Sequence, residues 1–366
     1  MNPRVIATIS QEALLHNFQV VKSLATNSKI LAMVKANGYG HGLTFVAKTL
    51  KGADAFGVAN VDEAFQLRRA GIDHEIVLME GFLHAHELSI IQQEQLTQVV
   101  HLFEQIAVLE QLKSKKILPV WIKINTGMNR LGFRLEDFPT AYQRLKAIPW
   151  VRIVGFMTHF PQADERHNPL TMQQCETFLR YVEALPGAKS LANSAAILSL
   201  PKTHQDWVRP GLILYGASPF EDHTRDDFNL KPAMRLSSKI ISIQHLNPGE
   251  RVGYGGRWEA KNPHTKIGII AIGYGDGYPW HAESLGTPVL VNQHRCKLIG
   301  RVSMDMIAID LSQLSEVKLG DTVELWGAQL PIEEVAKAAK TIPYELFCRL
   351  TDRVKIHMVD QHELLV

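Results

Sequence analysis

At 366 residues the chain is too long for one ordinary domain, yet a β/α barrel of about 250 residues leaves room for a second module. A hydrophobic fraction of 46% against 21% charged residues marks a globular chain with ample core. The net charge of +2, with acids and bases interspersed, offers no basic stripe for nucleic acid.

No apolar run approaches the roughly 18 residues of a membrane span. The opening segment MNPRVIATISQEALLHN has no continuous apolar stretch and no small-residue cleavage site, so a cytoplasmic location is expected. Cys175, Cys296 and Cys348 lie far apart without a CxxC pair, which fits reduced thiols buried as small apolar residues. No metal site is expected.

In chain order, a first strand at residues 4–9 precedes any repeat and is free to pair with either domain. From residue 30 to about 215, short apolar runs alternate with helical patterns. The runs cover 30–34, 55–58, 75–79, 98–101, 119–124, 152–157 and 189–192. An eighth lies at 207–208 or at 212–215. Between them, 61–70, 103–112 and 170–185 carry apolar residues three and four apart. Asn60 and the pair Asn168-Pro169 stand where helix caps belong. About eight strand–helix units predict an α/β architecture, an N-terminal (β/α)8 TIM-like barrel over residues 1–230.

After residue 230 the pattern changes to strand-like runs at 236–244, 265–272, 287–291, 297–302, 306–311 and 322–326, separated by turns rich in Gly, Pro and Asn. Residues 231–366 therefore read as a mostly β C-terminal domain, with one short helix at 332–340. The polar stretch 221–229 reads as the linker.

In β/α barrels the reactive groups sit at the C-terminal ends of the strands. Here those ends carry Lys35, Lys123 with Asn125, His159, Asn193 with Ser194, and Arg209. The segment LAMVKANGYGHG at 31–42 is the most informative. A buried run stops at Lys35, and a glycine-punctuated turn follows, which suits either a reactive amine or a phosphate-holding loop.

Nine motifs then recur in one order: VKANGYGHG (34–42), INTGMNRLGF (124–133), THF (158–160), ANSAA (192–196), WVRPGLILYG (207–216), VGYGG (252–256), IGYGDGYP (272–279), GRVSMDM (300–306) and IPYE (342–345). In this arrangement the chain resembles the alanine racemases, enzymes that use pyridoxal 5'-phosphate (PLP) to interconvert L- and D-alanine for peptidoglycan metabolism. The resemblance implies that Lys35 carries the cofactor and acts as a base on one face of the substrate Cα. It places Tyr254 as the base on the other face, contributed by a partner chain, and so implies a homodimer with shared active sites. A tyrosine titrates ordinarily near 10, so a neighbouring cation must favour its phenolate.

By the same resemblance Arg209 faces the cofactor pyridine nitrogen. Being always protonated, it disfavours protonation of that nitrogen and weakens the electron sink. The phosphate falls to Tyr39, Ser194, Tyr344 and the N–H groups of Gly211 and Leu212, with His159 and Asn193 among the cofactor contacts. Arg130 reaches the substrate carboxylate or a cofactor oxygen, and Lys123 matches a lysine that the family often carbamylates. Met304, through its N–H, and Asp305 belong to substrate binding, while Tyr274 and Tyr344 narrow the entrance. Three other readings compete. A racemase with serine or broad amino-acid preference is often exported, which the missing signal peptide disfavours; a decarboxylase of the same fold would want an acid where Arg209 stands; and a PLP-carrying lone barrel would lack residues 231–366.

Overall fold

The computed structural model describes residues 3–360; positions 361–366 of the expected C-terminal domain lie outside the described residues. The chain forms two compact units. One, the barrel unit, comprises residues 18–38 and 42–214. The other, the β unit, takes in the chain up to Asn17, the three residues Tyr39–His41 and everything from Tyr215 on.

The first strand, β1 (Ile6–Ser10), belongs to the β unit and leads into a helix over Gln11–Leu24. The barrel follows: β2 (Lys29–Met33), β3 (Ala55–Val58), β4 (Glu75–Leu78), β5 (Thr97–Val100), β6 (Leu118–Lys123), β7 (Val151–Met157), β8 (Ala188–Ser190) and β9 (Trp207–Val208). These eight strands pair in parallel and close on themselves. Strands of a parallel barrel are covered on both faces, which is why they read as continuous apolar runs rather than alternating ones. The eighth strand is Trp207–Val208, paired with Lys29 and Ile30 of β2; Leu212–Tyr215 is instead a short 3-10 turn.

Two expected caps are present in different forms. The Asn60 side chain accepts the Glu63 N–H at 2.9 Å and starts the helix Val61–Arg69. Asn168 accepts the Leu170 N–H at 3.0 Å, while Pro169 itself occupies the cap of Leu170–Val182. Inside the barrel, Trp121 and Trp207 meet edge to face with centroids 6.1 Å apart. Gly155 makes room for this pair, since a Cβ there would lie 2.4 Å from the Trp121 ring.

The β unit is built on β10 (Met234–Leu246), followed by the short hairpin β11 (Arg251–Val252) and β12 (Trp258–Glu259). Then come β13 (Thr265–Ile270), β14 (Pro288–Val291), β15 (His294–Ile299), β16 (Ile307–Asp310), β17 (Thr322–Trp326) and β18 (Lys355–Val359). The pairing order β13-β16-β15-β14-β17-β10 returns to β13, so these six strands also close. Register shifts at Leu236/Ser237 and Ile240/Ser242 let the long β10 serve both ends of that ring. Outside it, β1 pairs antiparallel with β10 and parallel with β18. Tyr278 and Trp326 stack in the core of this unit.

Two details differ from the sequence expectation. The stretch around 221–229 is folded into the β unit rather than left as a tether, and the units divide at Leu214–Tyr215. The reason is Glu333: its carboxylate accepts the Ser218 N–H at 2.7 Å and the Arg225 N–H at 3.1 Å. Arg225 in turn donates to the Gly327 and Ala328 carbonyls. Second, the three cysteines form no disulfide among the described residues, but only Cys175 and Cys296 are buried; Cys348 is exposed.

Candidate active site

In the barrel unit, Lys35 sits two residues beyond the end of β2. The chain then enters a left-handed turn, with φ of 52° at Ala36, 54° at Asn37, 61° at Gly38 and 51° at Tyr39. For residues other than glycine this conformation costs about 1–2 kcal/mol each. The turn is held from several sides. Glu63 accepts the Ala36 N–H at 2.7 Å, the Asn37 side chain accepts the Leu43 N–H at 2.9 Å, and the Gly38 N–H reaches the Val34 carbonyl at 2.7 Å.

Four cations from distant parts of the sequence share one electrostatic environment in this unit: Lys35, Lys123, Arg130 and Arg209. Lys123, at the end of β6, is buried. Burial, then Arg209, Arg130 and Lys35 in that order, bring its amine down to about 7, with Glu80 opposing them. Such an excess of positive charge, with Lys123 and Arg209 buried, is a place for an anion.

Arg209 is fixed on every side. Its guanidinium donates to Ser190 Oγ at 2.7 Å, to the Thr158 carbonyl at 2.5 Å and to the Leu191 carbonyl at 3.2 Å. It also meets His159 Nδ1 at 3.3 Å. Burial lowers Arg209 to about 10, so it stays protonated at neutral pH. Since arginine can only donate, His159 Nδ1 must accept, which puts the imidazole proton on Nε2. Burial and the same cations hold His159 well below its ordinary range and keep it neutral.

Asn193 caps the turn Ser194–Ser199, accepting the Ala196 N–H at 3.1 Å and donating to the Phe160 carbonyl at 3.1 Å. Ser194 Oγ lies where backbone donors converge: it accepts the Gly211 N–H at 2.9 Å and is 3.5 Å from that of Ile213. Leu212 sits between them and is buried. A hydroxyl on which two backbone N–H groups converge marks a place that suits an anion. Arg130 lies in the exposed loop after β6, which Asn125 organises by accepting the Gly127 and Asn129 N–H groups at 3.1 and 3.0 Å.

The β unit carries the other expected residues. Tyr39 is buried, stacked on Tyr215 at 4.7 Å and 6.1 Å from the Tyr344 ring. Burial, with Tyr344 and Cys348 adding to it, raises the Tyr39 phenol far above its ordinary value, so it remains a donor. Gly40 is required beside it, because a Cβ there would fall 2.1 Å from the Phe347 carbonyl oxygen.

Tyr254 stands on a glycine turn and is 71% exposed; Met304, at 53%, and Tyr274, at 41%, are exposed as well. The loops bearing the last two are laced together. Tyr274 N–H donates to the Ser303 carbonyl at 3.1 Å and Gly275 N–H to the Met304 carbonyl at 2.9 Å. The Met304 N–H has no acceptor among the described residues. Asp305 pairs with Arg353 at 2.5 Å.

The sequence reading missed Ser190 and Thr158, which orient Arg209, and Tyr215, which backs Tyr39. It also missed Asp276 and Arg353 beside Asp305. Only the glycine pattern around Asp276 hinted at a tight turn there.

Comparison with known proteins agrees over both units. Residues 9–219 match the family model "Alanine racemase, N-terminal domain" and residues 233–358 match "Alanine racemase, C-terminal domain". An alanine racemase of Nitrosococcus oceani is 50% identical over 350 residues, covering 95% of this chain and 97% of that one. The biosynthetic alanine racemase of an Escherichia coli O6:H1 strain is 47% identical, with 96% and 98% covered. Among solved structures, the biosynthetic alanine racemase of Pseudomonas aeruginosa superposes with a TM-score of 0.95 at 43% identity, covering 98% of this chain and all of that one. The alanine racemase of Bartonella henselae, solved with covalently bound pyridoxal phosphate, gives 0.89 at 28% identity, covering 98% of this chain and 100% of that one.

Proposed function

The chain belongs to the alanine racemase family and interconverts L- and D-alanine, and from that premise we propose how its residues divide the work. The observation that carries the proposal is the cation cluster of the barrel unit, with Lys123 held to about 7 and Arg209 locked by Ser190, Thr158 and Leu191. That donor set fits PLP, an anionic cofactor with a phosphate and a ring. Lys35 would hold it covalently. The Ser194, Gly211 and Leu212 cradle would take the phosphate, with Tyr39 and Tyr344 from the β unit. Arg209 would face the ring nitrogen, His159 and Asn193 would complete the cofactor contacts, and Arg130 would reach an oxygen of cofactor or substrate. When bound, the cofactor supplies an electron-withdrawing ring that acidifies the substrate Cα–H.

The chain's own residues then move the proton. The Lys35 amine takes or returns it on one face of Cα, and the Tyr254 phenol does so on the other. Arg209, which can only donate, would leave the ring nitrogen unprotonated, and the weaker electron sink would suppress competing bond cleavage. The Met304 N–H would bind the substrate carboxylate, with Asp305 nearby, and Tyr274 and Tyr344 would exclude larger side chains. Lys123, once carbamylated, would become an anion able to pair with Arg130.

We also read the protein as a homodimer, because Tyr254, Tyr274 and Met304 are exposed on adjoining loops of the β unit. No helix among the described residues is long and apolar enough to cross a membrane, and a cytoplasmic location is part of this reading.

The test is direct. Purified protein should show a visible cofactor absorbance that borohydride fixes to the chain at Lys35. It should also abolish the circular dichroism of an L-alanine solution. Absence of the absorbance, or an unchanged spectrum in Lys35→Ala, would sink the assignment.

A further inference from the structure

Arg353 lies just before β18, and its guanidinium joins two carboxylates of the β unit. Nε is 3.1 Å from Asp276 and Nη2 is 2.5 Å from Asp305. Asp276 is buried, and its second oxygen accepts the Gly273 N–H at 2.9 Å, closing the turn that bears Tyr274. Asp305 follows Met304 directly, and its backbone carbonyl accepts from Arg4 at 2.6 Å. Arg353 also packs against Gly275, where a Cβ would come 2.4 Å from Nη1. Thr351 adds a bond to the Gly275 carbonyl at 2.9 Å.

Without Arg353, Asp276 would be a buried carboxylate without its cation, and Asp305 would bring a second negative charge to the same place. Both loops are irregular; two backbone bonds, Tyr274 N–H to the Ser303 carbonyl and Gly275 N–H to the Met304 carbonyl, tie them, and Arg353 adds the side-chain bridge between their carboxylates. The planar guanidinium fork can meet two carboxylates in one fixed geometry; an ammonium acts as a single point charge.

We propose that Arg353 is a positioning residue for substrate: by bridging Asp276 and Asp305 it fixes the loop bearing Met304 against the loop bearing Tyr274, and so sets affinity for the substrate carboxylate. This rests on the reading above that Met304 and Tyr274 face the substrate.

The test uses the holoenzyme with Arg353→Gln, Asp305→Asn, the double variant and Arg353→Lys. The readouts are KM and kcat for L-alanine, and the dissociation constant of propionate, which is alanine without its amino group, by calorimetry. Arg353→Gln should raise both the KM and the propionate constant about tenfold while kcat falls less than about threefold. Because the two residues act as one unit, the double variant should lie within about twofold of Arg353→Gln. Arg353→Lys should fall between Gln and wild type.

Unchanged propionate binding in Arg353→Gln overturns the proposal, as do multiplying losses in the double variant. So does a Gln variant that fails to assemble beside a Lys variant with wild-type constants, since that marks a purely structural ion pair. Wild-type holoenzyme that neither racemises alanine nor binds propionate would instead overturn the functional reading on which the proposal stands.

Discussion

The Lys123 amine gives a stability prediction that depends on the assembled cation cluster. In the unfolded chain it titrates at its ordinary 10.5; in the folded barrel it is held at about 7, first by burial and then by Arg209, Arg130 and Lys35. Above 10.5 neither state carries the proton and the penalty vanishes. As pH falls toward about 7 only the unfolded chain takes up the proton, so the penalty grows, and below about 7 it is complete. Each pH unit within that window is worth about 1.4 kcal/mol, and the whole interval about 5 kcal/mol. Lys123→Met keeps most of the side-chain volume and removes the titration. Urea unfolding of both proteins from pH 6 to 10, in buffers purged of carbon dioxide, should therefore show wild type gaining on the variant by about 1.4 kcal/mol per unit above pH 7. Added bicarbonate should reduce the wild-type deficit near neutrality, because a carbamate turns the disfavoured cation into an anion, and should leave the variant unmoved. Parallel curves for the two proteins at every pH would refute the lowered Lys123 amine.

Other outcomes follow from the same geometry. Tyr254→Phe should slow deuterium uptake from D2O at Cα of one alanine enantiomer by far more than the other; equal, modest losses would count against a two-base division. If active sites are shared between subunits, mixing inactive Lys35→Ala and Tyr254→Phe chains should restore up to about a quarter of wild-type activity, since half the dimers are mixed and each has one intact site. No recovery after verified subunit exchange would place both bases in one chain. Ser194→Ala strips the acceptor from the Gly211 N–H and should weaken cofactor retention about tenfold, read as cofactor released on dialysis. Gly40→Ala forces a Cβ into the Phe347 carbonyl at a φ of 77° and should cost about 2–4 kcal/mol in a denaturation curve. A loss below about 0.5 kcal/mol would show that the β unit yields there.

The two parts of the molecule were legible to different degrees, for physical reasons. A closed parallel barrel buries both strand faces, so its strands read as bare apolar runs, and seven of the eight are found near their expected places; the last, Trp207–Val208, is only two residues long and needed β2 to identify it. By contrast β18, KIHMV, is short and largely exposed, too little for its Ile356, Met358 and Val359 to mark a strand alone; it is a strand because β1 offers it an edge. Glu333 is the clearest case of a long-range decision. Nothing near residue 225 announces that a carboxylate more than a hundred positions away captures two of its backbone donors.

The site divides along the same line. Lys35, Arg209 and His159 could be named from the strands they terminate, because a barrel delivers strand ends to one face. Their electrostatic state could not, since it is a property of the set. Lys123 falls to about 7 because it is buried and because Arg209, Arg130 and Lys35 share its surroundings. The opening motif shows both levels at once. Its glycines announced a turn, yet Ala36, Asn37 and Tyr39 also adopt left-handed backbone that glycine would accept without cost. Glycines at those positions would leave the turn free in the unfolded chain and loose in the folded one. The side chains present accept the local strain, and Glu63, Asn37 and the Val34 carbonyl hold the backbone against it. The result is a lysine with a rigid base and a tyrosine four residues on that belongs to the other unit. A short strained segment thus supplies residues to both compact units.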